Sequence, residues 1–200
     1  DFSEPRAWTI PPGAEYITYE VGVEVCAPTG ASAGLGPAVI LKAYLDGYPR
    51  ISASKILSTN VNHVYSLIAE ADIDDEDMMT MNGQEVLPVN PGQQIIIPTT
   101  VTNLGNGPDR FDYRLARVTD PAGVDVLWDI DIPRETLKEL SRDTDQIFDI
   151  TMNVPDQVEA GTYMVVFQTF SEESYPDASG RLTRLRFTQS MPVYVQEFYD

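Results

Sequence analysis

Short apolar segments divided by turns predict an all-β protein of tandem antiparallel β-sandwiches, the first of them incomplete. Three observations lead there: alternation with a period of two in most apolar segments, a self-similarity between the two ends of the chain, and a single stretch with helical signals. The strands follow in order. Tyr16 to Val25 places Ile17, Tyr19, Val21, Val23 and Val25 on one face and Thr18, Glu20, Gly22 and Glu24 on the other, as a strand with one wet side requires. Pro37 to Leu45, Asn62 to Glu70, Gln94 to Thr102, Arg110 to Val118, Gln146 to Val154, Thr162 to Phe170, Arg181 to Gln189 and Met191 to Phe198 continue the series between Gly, Pro, Asn and Asp turns. About ten strands result. The exception is Pro133 to Leu140. A proline near the first helical position, Glu135 in the first turn and the Leu137/Leu140 pair predict one or two helical turns in an insertion over 133–144.

Laid over itself, Trp8 to Ala71 matches Trp128 to Phe198 with a displacement drifting from 120 to 127 residues. Trp8 with Ile10-Pro11 corresponds to Trp128 with Ile132-Pro133, and Gly36 opens PAVILKAYL as Gly161 opens TYMVVFQTF. Tyr48-Pro49 answers Tyr175-Pro176, and HVYSLIAE answers SMPVYVQE, ending in Glu70 and Glu197. Residues 1–72 are therefore expected to be the C-terminal part of a first repeat, 73–82 an acidic linker and 83–200 a complete sandwich. An open half-sandwich exposes apolar faces and strand edges. Its missing strands are expected from preceding residues of the same polypeptide or from a neighbouring chain, unless residues 1–72 close as a smaller sandwich or extend the sheet of the second unit.

Composition narrows the function. The chain has 200 residues, 42% of them hydrophobic, enough to bury a core. Its 31 acidic against 13 basic residues leave a net charge of −18, which disfavours nucleic acid and anionic membrane surfaces as partners. Asp outnumbers Glu, 18 to 13, and Lys occurs three times, a balance suited to salty surroundings, where short screening lengths let crowded carboxylates coexist; a merely acidic secreted protein has the same balance. Cys26 is the only cysteine and has no disulfide partner within the chain. No run of eighteen apolar residues and no Asn-x-Ser/Thr sequon occurs, and Asp1 to Glu4 lack the features of a signal peptide. An exported protein of this sequence is expected to be a processed or partial product.

Residues 87–170 carry a family likeness. Pro91-Gly92 introduces an alternating strand, the turn from Asn103 to Gly107 leads into a strand bearing Phe111, and Val154-Pro155 precedes Gly161-Thr162-Tyr163. The pattern resembles the immunoglobulin-like, cell-adhesion-related (CARDB-like) modules of bacterial and archaeal surface proteins and secreted enzymes. The resemblance implies tandem immunoglobulin-like sandwiches serving as spacers, adhesion units or surface-layer parts. Gly105, Gly107 and Gly161 are expected to supply positive φ in turns. Ile95, Ile97, Val101, Tyr113, Leu115, Ile150, Met152, Tyr163 and Val165 are expected in the core. The paired cysteines of the immunoglobulins proper are absent.

Catalysis has little support, because the single histidine, His63, lies at the start of a strand with no accompanying nucleophile elbow, phosphate loop or metal-binding pair. His63 reads as a surface or strand-edge residue and Cys26 as a small buried hydrophobe. Paired carboxylates for glycoside hydrolysis are not singled out by any spacing. Calcium is the one cofactor with a case. Asp72, Asp74, Asp75, Glu76 and Asp77 put five carboxylates in six residues, hard oxygen donors of the kind Ca²⁺ takes; a solvated acidic linker has the same composition. Asp109 with Asp112, and Asp120, Asp125, Asp129 and Asp131, form weaker groups. Trp8, Trp128, Tyr44, Tyr48 and Tyr175 suit either a sugar-stacking platform or core and turn packing. The expected function is a non-catalytic structural subunit of an extracellular, cell-surface assembly: an archaeal or bacterial surface layer (S-layer), sheath or filament. Its expected partners are copies of itself or neighbouring immunoglobulin-like modules, without nucleic acid or direct membrane insertion. The alternative is a polysaccharide-binding or spacer region of a secreted enzyme.

Overall fold

Alternation becomes strand pairing along most of the chain in the computed structural model, which describes residues 22–133, 138–176 and 179–197 together with 7, 9, 11–13 and 18. Before residue 67 there are four described strands: β1 (Gly34–Leu35), β2 (Val39–Leu45), β3 (Tyr48–Leu57) and β4 (Asn60–Val61). They form two separate antiparallel pairs, β1 with β4 and β2 with β3. The strand expected over Tyr16 to Val25 lies mostly outside the described residues, and Gly22 to Val25 are not in strand.

The rest builds a two-layer sandwich from β5 (Leu67–Ala71), β6 (Met79–Met81), β7 (Gln84–Val89), β8 (Gln94–Asn103), β9 (Asp109–Thr119), β10 (Asp125–Val126), β11 (Asp129–Asp131), β12 (Glu139–Leu140), β13 (Asp145–Asn153), β14 (Gly161–Pro176) and β15 (Leu182–Val195). One sheet runs β11-β13-β8-β5 and the other β10-β9-β14-β15-β7-β6, with β12 pairing β9. Neighbours pair antiparallel except β7 and β15, which are parallel. This is the immunoglobulin-like arrangement: the first strand pairs in one sheet as β5, then crosses to the edge of the other as β6 and β7.

The predicted core residues meet between the sheets. Ile97, Val101, Ile150 and Met152 from one layer face Tyr113, Tyr163 and Val165 from the other, all buried in one cluster that Phe167, Val193 and Val195 also join. Ile95 and Leu115 sit partly buried at its margin. Each fully buried large apolar side chain contributes roughly 1.5–3 kcal/mol. Trp128 is buried against Tyr163, ring centroids 5.0 Å apart, and the Tyr163 hydroxyl donates to the Glu159 carbonyl at 3.0 Å. That bond to the backbone four residues upstream is the tyrosine corner of immunoglobulin-like domains.

Three expectations are corrected. Leu67–Ala71 does not end a first repeat: it pairs with β8 and puts Leu67 and Ala69 into the sandwich core. The stretch 73–82 is accordingly a crossover within the sandwich, and part of it, Met79–Met81, is strand. In the insertion, Glu139–Leu140 forms strand pairs with Arg110 and Asp109 in place of helix; residues 134–137 lie outside the described residues. Leu140 is buried in the core, so its apolar character serves packing between sheet and loop. The match of PAVILKAYL to TYMVVFQTF does place both in antiparallel hairpins, β2–β3 and β14–β15.

Candidate functional site

The acidic run is the crossover between β5 and β6. Ile73 and Met78 at its ends pack against the core, which holds the backbone down while the acids between them stay exposed. Asp75–Asp77 make one 3₁₀ turn after Asp74, closed by Asp77 N–H donating to the Asp74 carbonyl at 2.9 Å. Thr100 Oγ1 donates to Asp72 Oδ2 at 2.5 Å. Asp72, Asp74, Glu76 and Asp77 line an open groove of about 540 Å³ together with Leu87 and Ile95 to Pro98. Among the described residues, no three His, Cys, Asp or Glu side chains are grouped so that they could hold a metal ion. The geometry therefore gives no cage for the expected calcium.

The weaker acidic groups are also spread out. Asp109 is buried and accepts from Ser171 Oγ at 2.6 Å and from Arg110 N–H at 2.7 Å. Asp112 pairs with Arg114. Asp120 accepts from the N–H groups of Ala122 (2.9 Å) and Val124 (2.8 Å), shaping a turn. Asp129 accepts from Asn153 Nδ2 at 2.9 Å. Cys26 is exposed, contrary to the expectation of burial. The proposed aromatic platform does not assemble: Trp128 is core, Tyr44 and Tyr48 stand exposed on the β2–β3 hairpin, Tyr175 stacks elsewhere, and Trp8 lies outside the described residues.

A polar junction ties residues 28–66 to the sandwich, and the Asn103 to Gly107 turn is its centre. Asn103 is buried, with Nδ2 donating to the carbonyls of Gly107 and Leu140, both at 2.9 Å, and Oδ1 accepting from Gly105 N–H at 2.8 Å. Asn106 imitates a strand neighbour. Its side chain accepts from Val64 N–H at 2.7 Å and donates to the Asn62 carbonyl at 3.0 Å, while its backbone carbonyl takes Ala33 N–H at 2.7 Å. Arg142 donates to the Gly30 carbonyl. His63 is half-buried over Gly107 and stacks on Tyr65 (4.0 Å), which stacks on Tyr175 (5.3 Å). The His63 Nε2 is buried without a hydrogen-bond partner. Sequence reasoning saw the turn and missed its amides, because a buried Asn and a surface Asn have the same local signal.

From this base the β2–β3 hairpin projects. Ile40 pairs across the strands with Ile56, yet these residues, Tyr44, Tyr48 and Ile51 are 56–65% exposed. No third strand joins either edge among the described residues. A lone two-stranded hairpin is marginal in water and its open edges can pair with another chain, which makes this surface the candidate functional site.

No family model and no curated protein sequence matches the chain. Among solved structures, a family 123 glycoside hydrolase from Clostridium perfringens, described for glycolipid glycan hydrolysis, is similar over 65% of this chain at 10% identity and a TM-score of 0.40. The chain spans only 27% of that protein's length. The ASH/PapD-like domain 7 of human CEP192 is similar over 55% of this chain and 82% of its own, at 14% identity and a TM-score of 0.33. At this level of similarity neither carries any inference about this chain.

Proposed function

We propose that the protein is a non-catalytic structural module of an extracellular assembly, a surface layer, sheath or filament, in which modules are joined by β-strand contacts. The observation that carries this reading is the β2–β3 hairpin, whose edges no other strand among the described residues joins and whose Ile40, Ile51 and Ile56 stand in solvent. Strands of a neighbouring immunoglobulin-like module are the occupant that satisfies both features at once. They supply main-chain partners for the open edges and alternating apolar side chains for the exposed faces. The polar junction around Asn103 and Asn106 fixes the base of the hairpin to the sandwich, so that a load on one module passes to the next through hydrogen bonds.

Electron microscopy and sedimentation of the purified chain test this. Ordered fibres or sheets are expected, and Ile51→Lys with Ile56→Lys is expected to abolish them while the sandwich keeps its unfolding transition. A chain that stays monomeric at high concentration and retains soluble polysaccharide would instead be a binding region of a secreted enzyme.

A further inference from the structure

The outer face of β9, β14 and β15 concentrates positive charge in a strongly negative chain. Strand register puts Arg114, Gln168 and Thr188 in one cross-strand row and Asp112, Phe170 and Arg186 in the next. Arg110 and Arg117 on β9, and Arg184 on β15, are exposed on the same side. Half of the ten arginines of a chain of charge −18 thus share one sheet face, against the acids Asp112, Asp125, Glu139 and Glu172, of which Glu139 lies opposite Arg110, and Asp125 at the β10 edge, so that Arg117, Arg184 and Arg186 are its least neutralised cations. The guanidinium of Arg114 lies 4.7 Å from the Phe170 ring centroid and pairs with Asp112. With the Gln168 carboxamide turned so that its oxygen faces the guanidinium, that oxygen accepts from Arg186 Nε at 3.2 Å and from Nη2. These contacts hold both side chains in place and leave most of their five N–H donors each free for a carboxylate.

We propose that this arginine face docks the Asp72–Asp77 crossover of a second copy of the chain. The two surfaces are complementary in charge, size and position. Along β9 the arginines extend over eight residues, about 25 Å at a strand's rise; six residues of crossover reach at most about 20 Å. The crossover leads into β6, at the edge of its sheet opposite β9, so the two surfaces cannot meet within one molecule. Contact between unlike surfaces is head-to-tail, closing into a ring or propagating as a filament according to the rotation between copies. This inference rests on the assembly reading for its partner, a second copy, but uses no residue of the hairpin.

The test is sedimentation velocity on two charge-reversed proteins. Arg117 and Arg184 are exposed and join no ion pair among the described residues, so Arg117→Glu with Arg184→Glu is expected to fold normally and to associate about ten-fold more weakly at low salt. Asp74→Lys with Asp75→Lys is expected to do the same, and mixing the two to restore association. Unchanged association in both proteins would overturn the proposal, whatever the hairpin does. So would loss of polygalacturonate binding by Arg117→Glu with Arg184→Glu while self-association persists, since the face would then be a polyanion site. Ile51→Lys with Ile56→Lys separates the two contacts: it is expected to leave the salt-sensitive association in place and remove a salt-resistant one.

Discussion

Gly105, Gly107 and Gly161 flank turns, but glycine suits each for a different reason. Gly161 has φ 145° and a Cβ there would lie 2.6 Å from Pro121 Cγ, so both conformation and space exclude a side chain, as expected. Gly105 and Gly107 have no positive φ. Gly105 is required because a Cβ would come 2.6 Å from the Val64 carbonyl oxygen, whereas at Gly107 a Cβ would press on His63 Nε2 and Ala33 Cβ at 3.0 Å and fits only if those side chains give way. The sequence made these glycines legible as a turn, while their closeness to residues some forty positions upstream is a tertiary fact. Gly105→Ala is expected to cost about 1–3 kcal/mol in urea unfolding by forcing the 62–66 segment off the turn; an unchanged midpoint would mean that the junction is loose. Tyr113 gives a second prediction. Its hydroxyl donates to Gln189 at 3.1 Å in the core, and burial raises its pKa well above 10.0. The folded state therefore holds this proton more tightly than the unfolded chain. The contribution is full below about pH 10 and is lost as pH rises beyond the unfolded value. Tyr113→Phe should flatten the alkaline loss of stability, read from unfolding free energies between about pH 9 and 12.

At the scale of elements, strand positions were legible where alternation is strict, as in β8, β13 and the first half of β14. Partnership was not. Leu67–Ala71 alternates like any half-buried strand, and nothing in VYSLIAEA says that Ala69 faces Val101 across β8 and not a core of its own. The acidic run looked like a linker for the same reason: composition reports exposure, and an exposed crossover within a sandwich has the composition of a tether between two. The same gap between pattern and pairing singles out β2–β3, where Val39, Leu41 and Leu57 are only half-buried and local pattern is not met by a second layer. Few buried contacts mean low local stability. Amide hydrogen exchange is expected to be fast across Val39–Leu57 in the dissociated chain and slow in β8 and β13. On assembly the hairpin amides should become protected, and hairpin protection in the isolated monomer would argue that it needs no neighbour.

At the scale of the molecule, the charge total was readable from composition, but its partition needed the register of β9, β14 and β15, which turns scattered arginines into one face. The ion pairs Arg114–Asp112 and Arg142–Asp143 join near neighbours in sequence and do little to offset the long-range repulsion of a chain at −18. That repulsion is diffuse, so salt should relieve it without regard to the identity of the cation. Raising NaCl from about 0.1 M to about 1 M shortens the screening length from roughly 10 Å to roughly 3 Å. In dilute solution the melting temperature should rise, by about 2–4 °C for each kcal/mol of repulsion removed. Calcium chloride at matched ionic strength should give the same rise, because Asp72, Asp74, Asp75, Glu76 and Asp77 are strung along a 3₁₀ turn and not folded round a common centre. A calcium-specific increment lost on Asp74→Asn with Asp75→Asn would show that the crossover closes on the ion, since a site of six to eight oxygens would then be made by the cation itself.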